Sequence, residues 1–220
     1  MISKSEALFE KYKKQLLIGL AAVVVVVGGV FAYRELVSGP REAEASTAMA
    51  RGQEYFGREQ FEQALNGDST GYKGFSKIAA DYSGTAAGNL ANLYAGLCYA
   101  NMDKWAEAEA SLAKYDPAGD AMVSPAAVAA LGNAYAHTGK VAEAAEALKK
   151  AAAMADKQAA EGVNNSIAPV FLVQAARLLE SQGKAAEALV IYKDIKAKRA
   201  ASQIVQAKEI DKYIEKLERK

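Results

Sequence analysis

Apolar residues follow two different patterns along this chain. From Leu16 to Tyr33 there are 18 consecutive uncharged residues, LLIGLAAVVVVVGGVFAY, including five valines in a row. Such a stretch has no polar side to turn to water, and at ~1.5 Å per residue it makes a helix of about 27 Å, close to the ~30 Å of a bilayer's hydrocarbon layer. In lipid the backbone must satisfy its own hydrogen bonds, so a helix is expected although valine is only a fair helix former in water. Lys4, Lys11, Lys13 and Lys14 precede the run, and Arg34 and Arg41 follow it. The lysine-rich side is expected to stay in the cytoplasm and the remainder to be exported. A removable signal peptide needs a small-x-small site directly after the run. Tyr33, Arg34 and Glu35 suit that poorly, and the first match, Ala43 to Ala45, lies ten residues further on. A soluble core helix would show a polar face, which is missing here. Residues 1–15 therefore read as a cytoplasmic N-terminus, 16–33 as a transmembrane anchor, and 34–42 as a juxtamembrane linker broken by Gly39 and Pro40. Gly28 and Ala32 form one small-xxx-small pair of the kind that packs against another membrane helix.

Beyond the linker the period changes to that of amphipathic helices, and it repeats. NLANLYAGLCYANMDKWAEAEASLAKY from Asn89, PAAVAALGNAYAHTGKVAEAAEALKKA from Pro125 and PVFLVQAARLLESQGKAAEALVIYKDI from Pro169 align without gaps. The eighth position is small (Gly96, Gly132, Ala176), the eleventh bulky (Tyr99, Tyr135, Leu179), the twentieth alanine (Ala108, Ala144, Ala188) and the twenty-fourth large (Leu112, Leu148, Tyr192). A small eighth residue lets a first helix A touch a second helix B, with the twentieth as the matching contact. MDK, TGK and QGK then form tight turns, with Gly139 and Gly183 as helix C-caps. This pattern resembles the tetratricopeptide repeat (TPR), which implies an α-solenoid of helical hairpins. A degenerate fourth copy starts near Ala45, with Gly52, Tyr55, Phe61 and Ala64 in register. Starts at 45, 89, 125 and 169 are 44, 36 and 44 residues apart, against the usual ~34. The excess lies in NGDSTGYKG and in DKQAAEGVNNS, which read either as partner-contacting insertions or as tolerated surface loops. Residues 43–200 thus read as a TPR-like domain. In 201–220, Ile204, Ala207, Ile210, Ile214 and Leu217 at helical spacing read as a capping helix. The expected fold class is all-α: a transmembrane helix, about four hairpins and a cap.

Composition narrows the function. With 27 basic and 26 acidic residues the net charge is +1, which argues against a nucleic-acid partner. The single cysteine, Cys98, rules out an intrachain disulfide and reads as a buried small hydrophobe. The single histidine, His137, leaves no histidine-based metal cluster and reads as a satisfied polar residue. Gly139-Lys140 continues with Val141 and Gly183-Lys184 with Ala185, so neither opens a phosphate loop. Glu107, Glu143 and Glu187 recur at one repeat position, as a solvated helix face does. No catalytic, cofactor or metal site and no small-molecule substrate is expected.

What remains is surface. The resemblance to TPRs places the partner groove on helix A positions two, five, nine and twelve: Met49, Gln53 and Phe56; Leu90, Leu93 and Leu97; Ala126, Ala129 and Asn133; Val170, Val173 and Arg177. Only Asn133 and Arg177 match the residues with which some TPRs clamp a terminal carboxylate, so a hydrophobic protein segment is the expected ligand, unless the chain itself fills the groove. The stretches FEKYKKQLLIGLAAVVVVVGGVFAYREL and IAADYSGTAAGNLANLYAGLCYANMDKWAEAEASL resemble the YfgM-like ancillary subunits of the bacterial Sec translocon, nearly over the whole chain. That resemblance implies a single-pass inner-membrane protein with a periplasmic TPR domain. Its partners would be translocon subunits, periplasmic chaperones and exported chains. The alternative is a structural assembly factor for another envelope complex, without client binding.

Overall fold

The computed structural model describes the backbone of residues 4–219 and the side chains of residues 12–14, 18–29, 32 and 36–219. All regular structure among them is helical. Helix α1, Lys4–Tyr33, contains the one described segment long and apolar enough to cross a membrane: its window is Tyr12–Gly29, 18 residues of mean hydropathy 1.5, none of it buried in the protein. The window begins four residues before the span expected from sequence. The side chains of Leu16 and Tyr33 at the ends of that span, and of Lys4, Lys11 and Arg34 on its flanks, lie outside the described residues.

The chain does not break at Gly39 and Pro40. A π-helical segment, Arg34–Ser38, carries α1 into α2, Gly39–Gly57, with Pro40 in the first turn of α2. Proline lacks the N–H that would bond one turn back and its ring crowds that carbonyl, and a widened turn accommodates both. Residues 34–42 are thus helical, and Arg41 and Glu42 already hold the next helices. The Arg41 guanidinium donates to the Asp81 carbonyl at 2.9 Å, and the Glu42 carboxylate accepts from the N–H groups of Ala86 and Ala87 at 2.6 and 2.9 Å.

The rest is a series of helical hairpins. α2 pairs with α3, Phe61–Asn66, and α4, Phe75–Asp81; α5, Ala86–Asn101, with α6, Trp105–Leu112; α7, Val123–His137, with α8, Val141–Lys157; and α9, Ala168–Ser181, with α10, Ala185–Lys198. Packing runs mainly between neighbours in the chain, α6 on α7 and α8 on α9 joining successive hairpins, with α2 and α3 also against α5. Helix pairs held this way build a stack in which each unit supports the next.

The repeat spacing has its physical cause in the hairpin contacts. A Cβ on Gly96 would stand 2.5 Å from Leu112 Cγ, and one on Gly132 would stand 3.1 Å from Leu148 Cγ and 3.2 Å from the Ala144 carbonyl. Positions eight, twenty and twenty-four therefore meet in the hairpin interior, where Ala64, Ala108, Ala144 and Ala188 are completely buried. Each turn between A and B helices holds one left-handed residue: Glu59 at φ 60°, Asp103 at 58°, Gly139 at 81° and Gly183 at 75°. Only glycine takes that conformation without strain, which costs other residues ~1–2 kcal/mol. Gly183→Ala should therefore destabilise the chain by about 1 kcal/mol and Asp103→Gly should raise stability or leave it unchanged, read from denaturation midpoints.

Both insertions are built into the fold. In the first, between α3 and α4, Tyr72 turns inward, 7 % exposed, and its hydroxyl donates to the Ala64 carbonyl at 2.8 Å; a Cβ on Gly52 would meet that hydroxyl at 2.1 Å. The second follows α8. Asp156 accepts from the Asn164 N–H at 2.7 Å, and the Asn164 side chain in turn accepts from the N–H groups of Ser166 and Ile167 at 2.9 and 2.8 Å, capping α9. At the C-terminal end the expected single helix over 201–220 is two: α11, Gln203–Gln206, and α12, Glu209–Glu218, separated at Lys208, whose φ is 57°. The break leaves Ala207 exposed, while Ile210, Ile214 and Leu217 of α12 are buried with Leu179, Tyr192 and Ile195.

Candidate binding surface

The A helices α5, α7 and α9 are positioned by caps at their N-termini, while α2 continues from the π-helical segment. Thr85 Oγ1 accepts from the Gly88 N–H at 2.9 Å and Glu42 covers the two preceding N–H groups of α5. Asp120 accepts from the N–H groups of Met122, Val123 and Ser124 and from the Ser124 hydroxyl at the start of α7. The Ser124 hydroxyl bond first, then those N–H groups, hold the Asp120 carboxyl down at about 2. Such caps satisfy donors that a helix start leaves orphaned.

On these helices the expected groove residues divide by repeat position. At position five, Met49, Leu93, Ala129 and Val173 are all buried. At position nine, Gln53, Asn133 and Arg177 are exposed and Leu97 is half-buried; at position two, Ala126 and Val170 are exposed and Leu90 is half-buried. Phe56, at position twelve, is half-buried and packs edge-on against Phe61 and Tyr94, at 5.4 and 5.2 Å between ring centres. The geometry of a helix explains the division. At ~100° per residue, positions two and nine share one stripe, while position five lies about 60° round toward position eight, which touches helix B. Leu93 packs with Ala108, Leu112 and Ala127, and Val173 with Tyr192 and Ile214.

Arg177 is engaged by the chain itself: its guanidinium donates to the Tyr213 hydroxyl and lies 5.1 Å from the centre of that ring. Gln53 reaches the Tyr94 hydroxyl at 3.4 Å, and Tyr94 stacks on Phe75 at 4.9 Å. Tyr94 belongs to the surface but falls at position six, so spacing gave no sign of it. A second feature without a sequence signal is a cleft of about 730 Å³ between α4, α5 and α6, lined by Ser76, Asn89, Asn92, Tyr99 and Ser111 among others.

Electrostatically, the ordered charges hold loops and turns. Tyr55, Thr70 and Tyr72 donate to Asp68, and these bonds, that of Tyr55 foremost, hold its carboxyl well below the carboxylate range. Arg51 pairs with Asp68 at 2.8 Å. Lys140 and Thr138 donate to Glu109 at 2.5 and 2.7 Å and lower its carboxyl, so the α7–α8 turn is tied to α6. His137 is exposed and stacks flat on Trp105 at 3.6 Å between ring centres. Burial pushes the Cys98 thiol up to about 12, so it is not a thiolate nucleophile at neutral pH. Among the described residues no group of three or more His, Cys, Asp or Glu could hold a metal ion. The arrangement offers a stripe of mixed apolar and amide side chains across successive helices. Comparison with protein families, curated proteins and solved structures returns no match.

Proposed function

We propose that this chain is a membrane-anchored scaffold that binds protein segments along the position-two and position-nine stripe of its A helices. The reading places it in a bacterial inner membrane, with the hairpin stack in the periplasm beside the Sec translocon. Its partners there are translocon subunits, chaperones and exported chains. The observation that carries the binding reading is the recurrence of accessible residues at position nine of every hairpin: Gln53, Leu97, Asn133 and Arg177. The helix α1 supports the anchor, and the TPR-like spacing and YfgM-like stretches support the compartment and the partner class.

A photoreactive residue at Asn133 tests the stripe, with Glu143, exposed on helix B, as the control. Crosslinking in cells should be at least several-fold stronger from Asn133 and should recover translocon subunits or many exported chains. A single envelope complex as the product would instead favour the assembly-factor role. Equal yields from both positions would remove the case for the stripe. A topology reporter fused after Lys220 should be active in the periplasm; cytoplasmic activity overturns the compartment.

A further inference from the structure

The hairpin stack has two unlike ends, and one of them adjoins the anchor. Glu42 in the first turn of α2 meets Ala86 and Ala87 at the start of α5, and Gln53 meets Tyr94 further along both, so the two helices run parallel. Asn89, in the first turn of α5, donates to the Asp116 carbonyl at 2.7 Å and accepts from its N–H at 2.8 Å. Gln158 donates to the Gly119 carbonyl at 2.7 Å, and Asp156 pairs with Arg199 at 2.6 Å. These bonds lay the α4–α5 turn, the 113–122 loop, the 158–167 loop and the start of the 199–202 segment side by side, at the end where α2 begins.

That end carries nearly all the exposed large apolar side chains outside α1. They are Leu36 at 77 %, Met122 at 70 %, Val170 at 53 %, Val123 at 44 % and Val37 at 40 %, with Val190 in α10 the remaining one among the described residues. The opposite end consists of the A–B turns, which expose Arg58, Glu59, Asp103, Lys104, Lys140 and Lys184. Met122 is not on a loose loop, because Asp120 fixes its N–H at 2.9 Å and the N–H groups that follow. Helical continuity sets the height of this end. Glu42 lies nine residues after Tyr33, about 13 Å at ~1.5 Å per residue, which sets this end just beyond a headgroup layer of ~5–8 Å on that side of the hydrocarbon.

We infer that this end faces the bilayer, with Met122 and Val123 reaching the headgroup layer. The inference builds on the reading of α1 as a membrane span. Continuity with the anchor and the gathering of most exposed large apolar side chains outside α1 at this end favour lipid as the occupant. Small apolar side chains held at the foot of an anchored domain add shallow membrane contact without a second spanning helix.

The test uses the full chain in vesicles of phosphatidylethanolamine and phosphatidylglycerol. With Cys98 replaced by alanine, a single cysteine at Met122 or, as control, at Gln182 is labelled with an environment-sensitive fluorophore. Nitroxide lipids labelled near the headgroup should quench position 122 at least threefold more than position 182. A photoactivatable lipid and the unsubstituted chain give the same answer without any variant, as crosslinks at 117–123 and none at 138–140. Chains that float with the vesicles while 122 and 182 are equally quenched overturn this inference alone. Chains that do not float overturn the anchor as well. Protection of 122 that appears only in native membranes overturns lipid in favour of a protein neighbour.

Discussion

Asp156→Ala is expected to destabilise the chain by about 2–4 kcal/mol, at the lower side of the range for leaving a buried charge unpaired because Asp194 keeps part of the pairing. The Arg199 side chain is 5 % exposed; its guanidinium meets Asp156 at 2.6 Å and Asp194 at 3.2 Å. A guanidinium keeps its charge when buried, so without Asp156 it stays charged with only the longer contact. The substitution also removes the acceptor for the Asn164 N–H, and with it the support of the cap on α9. The reverse change is far milder. In Arg199→Met, Asp156 keeps Asn164 and partial exposure, and Asp194 keeps Lys198 at 2.5 Å, so about 1 kcal/mol or less is expected. Denaturation of the three chains in detergent measures the asymmetry. Equal losses from both substitutions would show that the pair matters as packing rather than as charge.

Tyr192→Ala is the second large effect, about 3–5 kcal/mol, because it removes a completely buried ring and leaves a cavity in the core. Tyr192 is completely buried, stacks on Tyr213 at 5.1 Å and donates its hydroxyl to Glu180 at 2.7 Å. Burial first, then the bond to Glu180, pushes that hydroxyl above its usual range, so it remains a neutral donor. Tyr192→Phe keeps the ring and loses one hydrogen bond, for about 1 kcal/mol, while Glu180 retains Lys216 at 2.9 Å. The consequence reaches the candidate surface, since Tyr213 carries the contact to Arg177. Loss of Tyr192 should speed hydrogen exchange over 203–218 and free Arg177. Contacts run mainly between neighbours, so α2 to α6 should keep their protection. Uniform loss of protection along the chain would mean that the stack melts as one unit.

Much of the architecture was legible in spacing. The glycines at 52, 96 and 132 and the alanines at 64, 108, 144 and 188 recur because a helix pair can approach closely only where side chains are small on both sides. That requirement is local and written in every repeat. The same holds for Gly139 and Gly183, whose left-handed turns need a residue without a Cβ, and for the apolar run in α1, whose length and lack of polar face are properties of the run itself. Helical spacing also puts positions two and nine on one face of each A helix.

Other features depended on what lies beside each element in space. Position five is as apolar as a groove residue and as a core residue, and only the neighbouring helices, by covering Leu93 and Val173, decided between the two. Gly39 and Pro40 carry the local signals of a break, yet a π turn and the bonds from Arg41 and Glu42 to residues 81–87 keep the helix running. NGDSTGYKG has the composition of a surface loop, but Tyr72 finds a buried acceptor on α3 and becomes part of the core. By itself the sequence determined the hairpin helices, their pairing and the apolar N-terminal segment, because these follow from contacts close along the chain. Only the tertiary structure decided which apolar faces stay open and at which end they gather, because burial depends on what the rest of the chain covers.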